Sequence, residues 1–397
     1  MMKTDLVAAI VRLWNVFQWS IIFASVAETI ATCPDSRLIA PCQCQTENNV
    51  VSMVCANLQS VQQLMKIFEP PFPVNQLWHL TVKHSHLDDL EANLLGDKSF
   101  AVILFQNVTG VSKIMPHAFA ASVERLRVLT LDSSPSLGVL SVQGIADLEN
   151  LVDFEVTASI DQLIDFPSLP NLQYLHLYGN RFSNPPSLPH LPKLHSLWLN
   201  SGKLVALKPL DLTFLPSLRK IVLFGNQLRQ LDEGDLHFQS PRVDLIDLSD
   251  NDLSGGIHPS AIKGISFNTI IDLKKTNLTQ LEEATFRPIL SVLARGAGHV
   301  QLHFLVYSHV APDMYNSMVN CTSLNVSSVF VILDLLLPIG TMLQCDCHSF
   351  GWLLQEPKLM AKISQTSKCS DGVNIHFKTS RLQCLSNETI ADATSKQ

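Results

Sequence analysis

The feature that most constrains this chain is a hydrophobic spacing that returns every 21 to 26 residues. Its sharpest copies are Leu172/Leu175/Leu177/Asn180/Phe182, Leu218/Ile221/Leu223/Asn226/Leu228 and Val243/Ile246/Leu248/Asn251/Leu253. All three read L-x-x-L-x-L-x-x-N-x-L. Nine segments follow this template, beginning near Leu77, Phe100, Leu126, Leu151, Leu172, Leu194, Leu218, Val243 and Asn268. The second is degenerate, with Val108 at the asparagine position, and the ninth has Thr276 there. The L-x-L core alternates with period two, so each unit holds a short strand with one buried face. One such unit cannot bury its own apolar edge. A stack of nine can, provided each strand pairs with the next.

The spacing is that of a leucine-rich repeat. Leucine, at 60 of 397 residues, supplies the material. The expected fold class is α/β: a horseshoe solenoid with a parallel β-sheet on its concave side. The template asparagine is placed to bond backbone groups where the chain leaves the strand. Pro185, Pro186, Pro189 and Pro192 crowd the return segments of the fifth and sixth repeats, where irregular turns are expected in place of helices.

A solenoid has two raw apolar ends, and the cysteines gather where those ends must be covered. Cys33, Cys42, Cys44 and Cys55 precede the first repeat; Cys345, Cys347, Cys369 and Cys384 follow the last. Spacing alone leaves three connectivities in each group. Cys321 is left over and is expected in neither cap. Paired cysteines imply an oxidising compartment. Lys3 followed by an apolar stretch from Leu6 to Ala27 reads as a secretory signal, with Ser25-Val26-Ala27 as the cleavage site and a mature start near Glu28. Arg12 and Gln18 interrupt that stretch and weaken it as a membrane span. Sequons at Asn107, Asn277, Asn320, Asn325 and Asn387 fit the same route as glycosylation sites. A net charge of −7 leaves no polycationic face, which argues against nucleic acid as a partner.

Between residues 304 and 342 the period fails. The apolar run from Ser328 to Leu343 contains Asp334 and Pro338 and is shorter than the ~20 residues of a membrane helix. A span there would also separate the second cysteine group from the array it must cover. The segment reads as a long inserted loop or as sequence foreign to the array, such as translated intron.

CPDSRLIAPCQC in the first cysteine group, EEATFRPIL after the last clear repeat and CDCHSFGWLL in the second resemble secreted arthropod leucine-rich repeat proteins. These are usually named after the oplophorus-luciferin 2-monooxygenase non-catalytic subunit. The resemblance covers residues 33 to about 290 and 343 to 384. In caps of extracellular leucine-rich repeat proteins the first cysteine joins the third and the second joins the fourth. That resemblance implies Cys33–Cys44, Cys42–Cys55, Cys345–Cys369 and Cys347–Cys384. It further implies a non-catalytic partner or binding protein, in the namesake case beside a separate luciferase. The expected plan is signal 1–27, cysteine cap 33–76, repeats 77–303, insert 304–342, second cap 343–384 and tail 385–397.

G-x-S-x-G, H-E-x-x-H, Walker A and G-x-G-x-x-G do not occur, so no enzyme, catalytic residue, metal or cofactor is expected. His84-Ser85-His86 is the nearest approach to a metal pair, but one histidine falls on the strand and the other in the turn, so both read as surface residues. The partner is expected to be a protein on the concave face, with no stable membrane span. Residues flanking the buried L-x-L positions point out of the sheet. By that offset Tyr174, His176, Tyr178, Trp198 and Phe224 share neighbouring strands with Arg219 beside them, the composition of an interface hot spot. The bland alternative is that these rings only pack on one another. Asp244, Asp247, Asp250 and Asp272 read as a solvated acidic face. The competing function is a membrane-linked adhesion or recognition receptor, although nothing after Cys384 is apolar enough to span.

Overall fold

The computed structural model describes residues 32–133, 138–157, 159–276, 283–293 and 295–301. The signal segment, the insert, the second cysteine group, Cys321, and Asn277, Asn320, Asn325 and Asn387 lie outside the described residues.

Twelve strands form one sheet whose spatial order follows the chain. They are β1 (Gln43–Glu47), β2 (Val50–Ala56), β3 (His79–His86), β4 (Val102–Thr109), β5 (Val128–Ser133) and β6 (Asp153–Thr157). There follow β7 (Tyr174–His176), β8 (Ser196–Trp198), β9 (Lys220–Val222), β10 (Leu245–Asp247), β11 (Ile270–Asp272) and β12 (His299–Gln301). Only β1 and β2 pair antiparallel, as a hairpin; every later neighbour is parallel. Each repeat contributes one strand and returns across the convex side, and this makes the fold a leucine-rich repeat solenoid. The template leucines form its spine: Leu172, Leu175, Leu194, Leu197, Leu218 and Ile221 are fully buried.

The N-terminal cap does more than cover an end. Disulfides join Cys33 to Cys44 and Cys42 to Cys55. They hold the hairpin while β2 pairs with β3, so the cap adds rungs to the sheet ahead of the first repeat. Helix α1 (Val61–Phe68) follows. Ser60 caps it, its Oγ accepting from the Gln63 backbone N–H at 3.4 Å. Val61, Leu64, Ile67 and Phe68 recur at helical spacing and are buried. Phe68 meets Phe100 of the second repeat edge-on at 5.7 Å, which ties the helix to the array.

The turns out of seven of the strands follow one rule. A residue in the left-handed region comes first: His84, Asn107, Gly179, Ser201, Gly225, Asp250 and Lys275 all have positive φ. The template position comes next. Asn180 accepts from Ile160 N–H at 3.3 Å and donates to the Val156 carbonyl at 3.1 Å. Asn226 accepts from Leu204 N–H and donates to the Leu199 and Leu223 carbonyls. Asn251 repeats the pattern with Leu228, Leu223 and Leu248. Each buried amide thus satisfies backbone groups of the preceding repeat, and Asn226 and Asn251 also bond a carbonyl of their own turn. In the first repeat Ser85 substitutes, accepting from Leu58 N–H and donating to the Lys83 carbonyl.

On the convex side, residues 181–193 form neither helix nor strand. Elsewhere the return segments hold single 3-10 turns, as at Leu212–Phe214, and short parallel pairs, as between Leu236–His237 and Ile262–Lys263. Among the described residues the last return is helix α2 (Glu283–Leu293), with Pro288 inside. Thr285 anchors it through a 2.8 Å bond to the Ile257 carbonyl.

Candidate protein-binding face

The middle of the concave sheet is built by alternation. Leu175 and Leu177 point inward and are buried, so Tyr174, His176 and Tyr178 face out. The parallel register sets His176 beside Trp198, and Trp198 beside Val222. The imidazole of His176 lies nearly parallel to the indole of Trp198, with centroids 5.6 Å apart and planes 17° apart. Tyr178 stands edge-on to both, at 5.6 Å from His176 and 6.3 Å from Trp198. Tyr174 meets His176 at 6.3 Å. From the strand beyond Trp198, the Lys220 ammonium lies 4.5 Å from the indole centroid. Trp198 is therefore held between an imidazole and an ammonium, and its Nε1–H donates to Ser196 Oγ at 2.8 Å. Its position is fixed before any partner arrives.

Charge is arranged around this ridge. Asp153 Oδ1 lies 3.8 Å from His176 Nε2. Glu155 registers with His176 from the same preceding strand and is buried. On the far side, burial pulls the Lys220 ammonium below the usual lysine range, with Asp247 opposing that effect. Desolvation likewise holds His79 and His195 below the ordinary imidazole value, and the charge of Arg219 adds to the effect on His195.

Four of the expected site residues, Tyr174, His176, Tyr178 and Trp198, form this connected set. Phe224 is exposed, and among the described residues no ring contact joins it to the other four. Its backbone carbonyl accepts from Ser201 N–H at 2.7 Å. Arg219 turns away toward Asp244, bonding it through Nε at 2.8 Å and through its terminal amino group at 2.6 Å. Arg242 approaches the other oxygen of Asp244 at 3.3 Å.

The reading of the four aspartates as one solvated face is corrected here. Asp250 is exposed, but Asp247 is half-buried and burial raises its pKa, with Asp272 adding to the rise. Asp247 accepts from both the backbone N–H and the hydroxyl of Ser249. Asp272 is paired with Lys274 Nζ at 2.9 Å. His84 and His86 are both exposed and engage different partners on β4, Asn107 and Thr109. Among the described residues no group of three or more His, Cys, Asp or Glu side chains converges on a metal position.

Sequence reasoning placed Lys220 on the concave face without joining it to the cluster, and it passed over Asp153 and Glu155. Asp153 and Glu155 belong to the fourth repeat, and the same outward offset that selected Tyr174 selects them. Lys220 needed the register: β9 pairs it with Ser196, and from there its ammonium reaches diagonally over the Trp198 indole.

The geometry defines a class: a leucine-rich repeat solenoid with a disulfide-stapled N-terminal cap and an aromatic ridge at the centre of its concave sheet. No family model matches the chain. It is similar to the oplophorus-luciferin 2-monooxygenase non-catalytic subunit of Oplophorus gracilirostris, 25% identical over 355 residues, which cover 87% of this chain and 86% of that protein. Among the described residues no helix is long and apolar enough to cross a membrane.

Proposed function

We propose that this chain is a secreted, non-catalytic binding subunit that docks a protein partner on the centre of its concave face. Tyr174, His176, Tyr178 and Trp198 make the core of that site, with Phe224 and Arg219 at its edge. One observation carries the reading: Trp198 is held by His176 and Lys220 in the middle of a curved sheet. A surface that already fixes its aromatic side chains loses little rotamer freedom on binding, so more of the gained contact appears as affinity. Aromatic and arginine side chains are also where interface energy concentrates. The relative's designation as a non-catalytic subunit supports a role as one partner in a complex, and a luciferase-like enzyme is the partner class that designation names. The extracellular assignment draws on the cap disulfides, which form in oxidising compartments.

The test has two stages. Immobilised full-length chain is used to capture partners from the source tissue fluid, identified by mass spectrometry. The captured protein is then titrated against wild type, Trp198→Ala and Tyr178→Ala. Loss of binding in both ring variants supports the site. Wild-type binding by both, with unchanged circular dichroism, removes it.

A further inference from the structure

The His84-Ser85-His86 motif has no place in the concave site, and neither does the sequon Asn107-Val108-Thr109. The fold puts the two against each other, with Ser85 in register with Val108 and His86 with Thr109. Asn107 Nδ2 donates to His84 Nδ1 at 3.0 Å, and Thr109 Oγ1 is bonded to His86 Nδ1 at 2.9 Å. Both polar side chains of the sequon are thus engaged by the histidine pair of the preceding repeat. Asn107 sits where the register between β4 and β5 shifts, between Phe105 and Val108. Its φ of 50° is one that asparagine tolerates better than most residues. Phe105 and Val108 on either side are buried, while Asn107 is exposed. The irregularity presents two amides, Gln106 and Asn107, to solvent from within a strand, and of the two Asn107 carries the sequon.

We propose that Asn107 carries an N-linked oligosaccharide, and that His84 and His86 position its root. The donor is an oligosaccharide on an isoprenoid pyrophosphate lipid. A bond forms between Asn107 Nδ2 and C1 of the first N-acetylglucosamine. The C1–oxygen bond to pyrophosphate breaks, its electron pair leaves with the lipid pyrophosphate, and Nδ2 gives up one proton. Nδ2 keeps one hydrogen in the glycosylated amide, and the positioning role requires that this hydrogen be the one directed at His84 Nδ1. The cap disulfides belong to the compartment in which this transfer takes place. From β4 to β7 is three strand steps, or about 14 Å. The attachment point therefore stands among the N-terminal repeats, apart from the aromatic ridge.

The full chain is secreted from insect cells and peptide-mapped before and after peptide-N-glycosidase A treatment in heavy-oxygen water. The expected result is a glycopeptide spanning Asn107 that becomes oxygen-labelled aspartate at that position. An unmodified Asn107 peptide as the dominant form overturns the proposal. Thr109→Ser should keep the glycan and Thr109→Val should lose it. If Thr109→Val is not secreted, the wild-type map still decides. His84→Ala should leave occupancy intact and speed glycan release from folded protein by ~3-fold, the scale of one hydrogen bond. An unchanged release rate removes the positioning role.

Discussion

The first two repeats and the seventh and eighth share a template, yet their strands differ in length. β3 and β4 run for eight residues each, whereas β9 and β10 run for three. Asparagine at the template position goes with the short strands compared here, although three-residue strands also precede Gly202 and Thr276. In the later repeats Asn226 and Asn251 capture backbone N–H and C=O groups just past L-x-L, and pairing stops there. In the early repeats the position holds Ser85 and Val108, and pairing resumes beyond it, through Ser85↔Val108 and His86↔Thr109. The early region is therefore held by strand pairing and the stapled cap, and the later region by a column of buried amides.

The comparison breaks most sharply at Asn226. Asn226→Ala orphans a buried N–H and the Leu199 carbonyl, while the Leu223 carbonyl keeps Asn251 as a donor, so urea unfolding should lose roughly 2–4 kcal/mol. Ser85→Ala should lose only about 1–2 kcal/mol, because one hydroxyl and one backbone donor are at stake. Equal losses at the two positions would show that the regions are held alike.

Gly202 sharpens the same point from another side. A Cβ there would meet Asn226 Oδ1 at 2.8 Å and the Asn180 carbonyl at 3.0 Å. Gly202→Ala should cost about 1–3 kcal/mol by crowding the amide column. Combined with Asn226→Ala it should cost less than the sum of the two, since they share one contact. An additive double variant would place the clash elsewhere.

Acid acts on histidines in both regions. His79 on β3 and His195 before β8 have folded pKa values below the ordinary 6.5, chiefly from burial. The unfolded chain binds their protons more tightly, so stability falls as pH drops below 6.5 and levels off below the folded values. His79→Gln should flatten this fall, measured as denaturation midpoint against pH. A midpoint that rises on acidification contradicts the sign. The smallest effect belongs to Arg219: its pair with Asp244 is well exposed, and Arg219→Ala should change stability by no more than about 1 kcal/mol. A larger loss in thermal unfolding would mean the pair braces the later region.

Much of the fold was legible because the spacing of Leu172, Leu175, Leu177 and Asn180 carries both the strand and its turn. The inward-outward alternation that buries Leu175 also identified the ring cluster. What the sequence did not reveal was lateral. Which residue on one strand lies beside which on the next depends on register across intervals of unequal length. Lys220 beside Trp198 and Asp153 beside His176 were hidden for that reason. Arg219 was read as part of the cluster because its place in the seventh repeat points it out of the concave sheet, but Asp244 on the next strand's side draws it away. The longer early strands were hidden too, since a missing asparagine reads as a weak repeat and says little about what replaces its bonds.

The central claim, that the pinned aromatic ridge carries partner binding, is tested most directly by calorimetric titration of the captured partner against Trp198→Ala, with Lys83→Ala on the early strands as control. The account predicts that Trp198→Ala weakens binding by roughly thirtyfold, corresponding to ~2 kcal/mol, while Lys83→Ala binds as wild type does. Wild-type affinity in Trp198→Ala at unchanged circular dichroism, or an equal loss in Lys83→Ala, would contradict it.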